Sequence, residues 1–408
     1  MVEARVELAS RSQSRLRLLD LLRLVAALGV VAYHYTARQN PAWGTDEPAR
    51  LWSPLSSVTA YGSLGVQLFF LISGFVVLMS AIGADVPRFV ASRVSRLFPA
   101  YWVAVLATGA LLFLDRSITL GGNWEGLGVP GVLVNLTMMQ QAFGVPHVDG
   151  VYWTLWVELK FYVILGVFLL VGITRQRILA LAVVWPVAAA LLAGAQIPIA
   201  DELLMPSYAP FFATGMLLFL VYREGWSLVS ALALLLNWTL LVRLAFTDGV
   251  KFVSDNTAVG SSPYLVAAVF TAFVVGIALV TQTRLALVNW KWLTLAGALT
   301  YPVYLLHEVW GWWLISKLAP VLPKTVVLAL VVGIMLVAAY LLHRLVERPL
   351  GPALRRRLEA GLRFPPALRR PAGASPAPAP APAPAAEAPA GAGADRPYAA
   401  QPERVPSA

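Results

Sequence analysis

The chain has 408 residues, of which 59% are hydrophobic and 13% charged, and its mean hydropathy of +0.71 excludes an ordinary soluble globular domain. It contains no cysteine, which excludes disulfides, thiolate metal sites and a cysteine nucleophile. The net charge of +10 arises from 31 Lys and Arg against 21 Asp and Glu that mostly flank apolar runs or lie in the tail, so it reads as membrane topology and not as a nucleic-acid surface.

A helix needs about 20 mostly apolar residues to cross a bilayer. That length predicts ten spans, near residues 18–37, 60–81, 97–114, 152–172, 177–195, 206–222, 226–246, 262–281, 293–315 and 325–346, and so an all-α polytopic membrane helix bundle. The first has no small-residue cleavage site after a short apolar core and reads as a retained helix. An even number of spans puts both termini on one side. With the N-terminus inside, Arg5, Arg11, Arg15, Arg17, Arg88, Arg93, Arg96, Arg175, Arg177, Arg223, Arg284 and Lys291 fall in inner segments, against Arg38, Arg50, Arg116, Lys251, Lys317 and Lys324 outside. Both termini are therefore expected in the cytoplasm of a cell with the bundle in its plasma (inner) membrane. Three regions follow: a basic N-terminus at 1–14, the bundle at 15–350, and a basic, then Ala/Pro-rich tail at 351–408. The run "PAGASPAPAPAPAPAAEAPAGAGADRPYAA" cannot bury enough apolar surface to fold and is expected to be disordered.

Costly polar residues recur inside particular spans. In the first, Asp20, Arg23 and His34 fall at about 0°, 300° and 320° on a helix, sharing one face, with Arg23 and His34 separated by roughly 16 Å along the axis. They fit either a structural Asp20–Arg23 pair with His34 bonded to a neighbour, or a lined pathway containing a titratable group. In the second, "FFLISGFVV" sets Ser73 and Gly74 where small residues admit a neighbouring backbone or a ligand. "RFVASRVSRLFPAYW" puts Arg93 and Arg96 three residues apart before the third span, with Pro99 expected in its first turns. The pair suits a phosphate clamp or a purely topogenic loop. In the fourth, Thr154, Glu158 and Tyr162 share a face at i, i+4 and i+8, with Lys160 pointing elsewhere. Glu158 is either a buried structural partner or a functional group. The ninth contains "GALTYPVYLLHEVW", where Tyr301, Tyr304 and Glu308 share a face and His307 sits to one side, as a site or as an interface belt.

Taken in order over about residues 15–350, these segments resemble the acyltransferase 3 family of integral-membrane O-acyltransferases, which acylate sugars, envelope glycans, lipids and some macrolides. "LDLLRLVAALGVVAYH" is similar to its first-helix signature, a basic residue and a histidine with ten residues between them, here Arg23 and His34. "FFLISGF" resembles its second-helix segment, "RVSRLFPAYW" its arginine pair, and "WTLWVELKFY", from Trp153, its Trp-Ser-Leu-x-x-Glu-x-x-Phe-Tyr segment with Thr154 in place of serine. "YPVYLLH" and "VERP" fit as well. Many members carry an SGNH-hydrolase-like domain at the C-terminus where this chain has the Ala/Pro tail, so direct transfer or a separate extracytoplasmic partner protein is expected.

The resemblance implies transfer of an acyl group, acetyl above all, from cytoplasmic acyl-CoA to a hydroxyl of a carbohydrate, cell-envelope glycan or macrolide-type acceptor. The donor is a substrate; no permanently bound cofactor, metal or nucleic-acid partner is expected. A thioester is already activated, leaving the enzyme to position both partners, remove a proton and steady an oxyanion. A free imidazole titrates near about 6.5, which suits His34 as general base, with Glu158 orienting it. Arg23, Arg93 and Arg96 are expected at the donor, His307, Tyr301 or Tyr304 at the acceptor, and Asp20, Ser73, Gly74, Trp153, Thr154 and Tyr162 in support. The alternative is a proton-coupled exporter of a glycan or small molecule, which an inverted repeat would favour; none is evident. Twenty-six Arg against five Lys, with abundant Ala and Pro, point to a GC-rich bacterial source.

Overall fold

Each long apolar run forms a helix in the computed structural model, which describes residues 16–115, 127–195 and 197–362. The basic N-terminal segment and the Ala/Pro tail lie outside the described residues. Eleven helices of 14 residues or more follow one another: α1 (Arg17–Thr36), α2 (Gly65–Ala81), α3 (Val86–Leu114), α4 (Trp153–Val171), α5 (Arg175–Leu192), α6 (Ala209–Glu224), α7 (Leu228–Leu244), α8 (Pro263–Gln282), α9 (Trp292–Leu318), α10 (Lys324–Leu342) and α11 (Arg348–Gly361). No strand occurs among the described residues, only an isolated bridge between Arg38 and Thr257.

Local chemistry sets several starts. Asp85 caps α3 by accepting the Arg88 N–H at 2.9 Å, Thr174 caps α5 through the Arg177 N–H, and Ser227 and Ser230 form a capping box on α7. The Asp85 cap starts α3 eleven residues earlier than expected, because the apolar ruler excludes a turn that carries arginines. Pro99 is therefore interior, and Arg93 and Arg96 lie within the helix and not in a preceding loop. Residues 351–361, grouped with the tail by composition, are helical in α11, which packs on α3.

Among the described residues nine helices are long and apolar enough to cross a membrane by length and composition. The exception is α9, expected at 293–315: its 27 residues reach about 40 Å at about 1.5 Å per residue, but tryptophans, tyrosines, His307, Glu308 and Lys317 dilute its apolarity. It packs between α1 and α10, burying His307 and Glu308.

The apolar 18-residue stretches of the segments ending in α2 and α6 are each 78% buried and form the centre. They touch backbone to backbone: a Cβ at Gly74 would strike the Phe212 carbonyl, and one at Gly215 the Leu71 carbonyl. Gly74 is thus a helix-packing residue. Phe212 and Phe161 stack at 4.2 Å beside this crossing, tying α4 to the centre.

Candidate active site

Two cavities meet inside the bundle. The first is walled by α1, α2, α3, α4 and α9 and lined by Arg23, Ser73, Arg96, Thr154, Glu158 and Tyr301, with Val66, Tyr304 and apolar neighbours. Glu158 Oε1 accepts from Tyr162 at 2.6 Å and from Ser73 at 2.9 Å, so the carboxylate is held by the hydroxyl one turn later and by α2. Thr154 bonds Tyr304 at 3.0 Å and the Val151 carbonyl at 2.9 Å. Tyr301 donates to the Leu97 carbonyl at 3.0 Å. Asp20 is buried against Gly297 of α9.

The two arginines of α3 diverge. Arg96 is exposed, lines the cavity together with Arg23, and neither makes an ion pair within the described residues. Arg93 is buried between the rings of Phe89 and Tyr162, 5.8 and 5.7 Å from their centres, and donates to Ser80 and Ser92. Three residues leave the two side chains only about 60° apart around the helix and one turn apart along it, so the divergence comes from what each meets: Arg96 the cavity, Arg93 the slot between Phe89 and Tyr162.

The second cavity lies toward the far end of α1 and is lined by Tyr33, His34, Arg38, Ser63, Trp153 and Asn256, among others; Val66 and Tyr304 form a wall common to both. His34 Nδ1 is 2.8 Å from the Val30 carbonyl, which can only accept, so the proton sits on Nδ1 and Nε2 keeps its lone pair. Arg38 Nη1 donates to that lone pair at 2.9 Å and to Glu308 Oε1 at 2.7 Å. Glu308 Oε1 is itself 3.5 Å from His34 Nε2. Behind the ring, His307 Nε2 lies 3.2 Å from His34 Nδ1, while His307 Nδ1 donates to the Tyr304 carbonyl at 2.9 Å. Trp312 donates to the His34 carbonyl at 2.9 Å and lies under Arg38 at 5.3 Å. A buried histidine is thus fixed in one tautomer with its reactive nitrogen turned to a cation and a carboxylate.

Several expected placements change. The carboxylate at His34 is Glu308 from α9; Glu158 bonds Ser73 and Tyr162 in the other cavity. His307 is fully buried behind His34, lines neither of these two cavities, and contacts the imidazole. Arg38, read from sequence as an outer-segment charge, is the cation of the cluster. Its position four residues after His34, one helical turn on, was the available signal. Asp149 also went unnoticed: it is fully buried and accepts N–H bonds from Val151 and Val309 at 3.1 and 3.2 Å. Burial, and next the Glu308 charge, push its carboxyl well above the usual range. Its neighbour Gly150 lies flat against Glu308 Oε2, an oxygen that a Cβ there would crowd. No cluster of three or more His, Asp or Glu suited to a metal occurs among the described residues.

The family model for the acyltransferase 3 domain matches residues 16–344, a stretch that contains both cavities and every residue of the His34 cluster. The chain belongs to the acyltransferase 3 family. Among its relatives, Acyltransferase MdmB of Streptomyces mycarofaciens is 33% identical over 151 residues, covering 36% of this chain and 38% of MdmB. Nodulation protein 10 of Rhizobium leguminosarum bv. viciae is 28% identical over 270 residues, 59% of this chain and 70% of that protein. YrhL of Bacillus subtilis (strain 168), named as a peptidoglycan O-acetyltransferase, is 27% identical over 168 residues, 38% of this chain and 24% of its own length. The match to MdmB thus spans well under half of that relative. No solved structure matches. Arg23 and His34, from one face of α1, line different cavities that share the wall residues Val66 and Tyr304.

Proposed function

We propose that this acyltransferase 3 protein moves an acyl group, acetyl above all, from acyl-CoA to a hydroxyl of a carbohydrate, envelope-glycan or macrolide-type acceptor. The observation that carries the reading is the pair of abutting cavities, one with two guanidiniums that make no ion pair among the described residues and the other with a histidine whose lone pair faces inward. Arg96 and Arg23 suit the phosphates of a CoA donor. The thioester would then lie near the Val66–Tyr304 wall, within reach of an acceptor held beside His34.

In this mechanism His34 Nε2 takes the acceptor's hydroxyl proton as its oxygen attacks the thioester carbonyl. For that to occur the acceptor hydroxyl replaces Arg38 at Nε2. The released Arg38 N–H can then donate to the oxyanion of the tetrahedral intermediate. Glu308 stabilises the imidazolium that forms, and His307 with the Val30 carbonyl holds Nδ1–H in place. Collapse breaks the C–S bond, and the imidazolium returns its proton to the departing CoA thiolate, giving an ester and CoASH.

We further propose a bacterial inner-membrane location with both termini cytoplasmic and with α9 as the tenth crossing, supported by the basic bias of the inner segments. Labelled acetyl-CoA and a set of hydroxyl acceptors, incubated with the purified protein in nanodiscs, test the reaction. Labelled ester dependent on His34 is the expected result. Movement of an unmodified solute across proteoliposomes without any acylated product would overturn it in favour of a transporter.

A further inference from the structure

Beyond His34, a groove adjoins the second cavity and shares two of its wall residues, Phe252 and Asn256. Gln67 is the anomaly in this groove. It belongs to α2, in the apolar run "GVQLFF", is 4% exposed, and its Oε1 is buried with no hydrogen-bond partner among the described residues. Protein interiors seldom leave an amide oxygen orphaned, since the lost hydration is uncompensated. Gln67 lines the groove, and its side-chain amide is the polar group there that a guest hydroxyl can engage.

The neighbouring surface has the chemistry of a particular guest. Trp153 lies 5.5 Å from Tyr208 and 6.1 Å from Phe252, ring centre to ring centre, making an aromatic wall that continues from the His34 cavity into the groove. A sugar ring presents a C–H face that stacks on aromatic rings and a rim of hydroxyls that an amide can both donate to and accept from. Asp248 and Asp255 line the groove together with Lys251, so it holds no surplus of positive charge to attract a phosphate or carboxylate.

We propose that Gln67 reads the acceptor: its side-chain amide hydrogen-bonds one hydroxyl of a neutral sugar ring stacked on Trp153, Tyr208 and Phe252, which turns a second hydroxyl toward His34. The fate of that second hydroxyl rests on the acyl-transfer reading above; the binding does not. Gln67 is a specificity-determining residue, and the sugar it holds lies against the Phe252–Asn256 wall that the groove shares with the His34 cavity.

The test uses the full-length protein in nanodiscs, wild type, Gln67→Leu and Phe252→Ala, with p-nitrophenyl glycosides of several neutral sugars as probes and labelled acetyl-CoA as donor. Equilibrium binding, acetyl transfer and thermal stability are measured on each. Expected results are that at least one glycoside binds the wild type, and that Gln67→Leu weakens it by about 3- to 10-fold, the loss of one neutral hydrogen bond. The donor KM should be unchanged. Leucine removes an orphaned amide, so its melting temperature should equal or exceed that of the wild type. The idea is overturned if no neutral glycoside binds, if Gln67→Leu binds as well as wild type, or if it loses stability in step with binding, as a structural residue would. If glycoside binding depends on Gln67 but no ester forms, the inference stands and the acyl-transfer reading fails.

Discussion

Arg38 Nη1 donates to His34 Nε2 at 2.9 Å, so the one nitrogen of that imidazole able to accept a proton is covered by a cation. The pairing keeps the lone pair directed into the cavity while no acceptor is bound, and it joins His34 to the Glu308 carboxylate that Arg38 also holds at 2.7 Å. If His34 is the general base, His34→Ala should lower turnover per folded molecule by about 10²- to 10⁴-fold, with donor binding retained. His34→Gln preserves hydrogen-bonding capacity but cannot act as a base near neutral pH, so it should be equally inactive. Kinetics normalised to folded protein check this; near-normal turnover by the glutamine variant would reduce His34 to an orienting role.

Glu308 has a different signature. Its side chain is 2% exposed, and removing it would leave the mostly buried Arg38 facing His34 without its ion-pair partner. Breaking one side of a buried ion pair costs about 3–5 kcal/mol, so Glu308→Ala should show a large drop in melting temperature and in membrane yield. Glu308→Gln keeps an oxygen for Arg38 and should fold better, yet it cannot stabilise an imidazolium, so its turnover should fall while its donor affinity holds. Thermal melts beside single-turnover rates separate the two effects. Equal turnover in wild type and Glu308→Gln would remove Glu308 from the chemistry.

The extent to which this was legible in sequence follows from which contacts are local. The polar stripe of α1 and the Tyr162–Glu158 bond are read from the helical repeat, because i and i+4 meet on one helix. Family likeness found the ordered motifs but not their partners. Which of two intramembrane glutamates reaches His34 is decided by how α9 packs on α1, a tertiary fact that no repeat encodes. Arg38 was missed because it lies just past the apolar run, where a cation ordinarily marks topology. The start of α3 was misplaced because hydropathy has no knowledge of the Asp85 cap, and the apolar strength of α9 was overestimated because its polar and aromatic residues displace leucines.

The crossing of α2 and α6 makes a prediction about folding alone. Gly74 and Gly215 each face the other helix's backbone with no room for a methyl group. Gly215→Ala should therefore separate the two central helices, at a cost of about 1–3 kcal/mol or more for overpacking a rigid contact. Gly276, which has open space around its Cα, should accept alanine without loss. Folded yield by size-exclusion fluorescence distinguishes them. Equal yields would mean that the crossing can open without penalty.

The divergence of Arg93 and Arg96 supplies the last prediction. A simple phosphate clamp would make the two substitutions equivalent, but only Arg96 and Arg23 line the first cavity, while Arg93 fills a slot between Phe89 and Tyr162. Tyr162 in turn holds Glu158, so Arg93 acts on that cavity through packing. Arg96→Ala and Arg23→Ala should each raise the acyl-CoA KM about 10- to 100-fold, as expected for loss of one charge-assisted phosphate contact of about 1.5–3 kcal/mol, with acceptor KM and melting temperature nearly unchanged. Arg93→Ala should instead lower the melting temperature, and saturating donor should not restore its rate. Arg93→Lys, which keeps the charge but not the planar stacking of a guanidinium, should resemble the alanine variant in stability. The measurements are donor and acceptor kinetics with thermal melts on all four proteins. A donor-KM effect confined to Arg93 would reverse the assignment and put the phosphates on the buried side of α3.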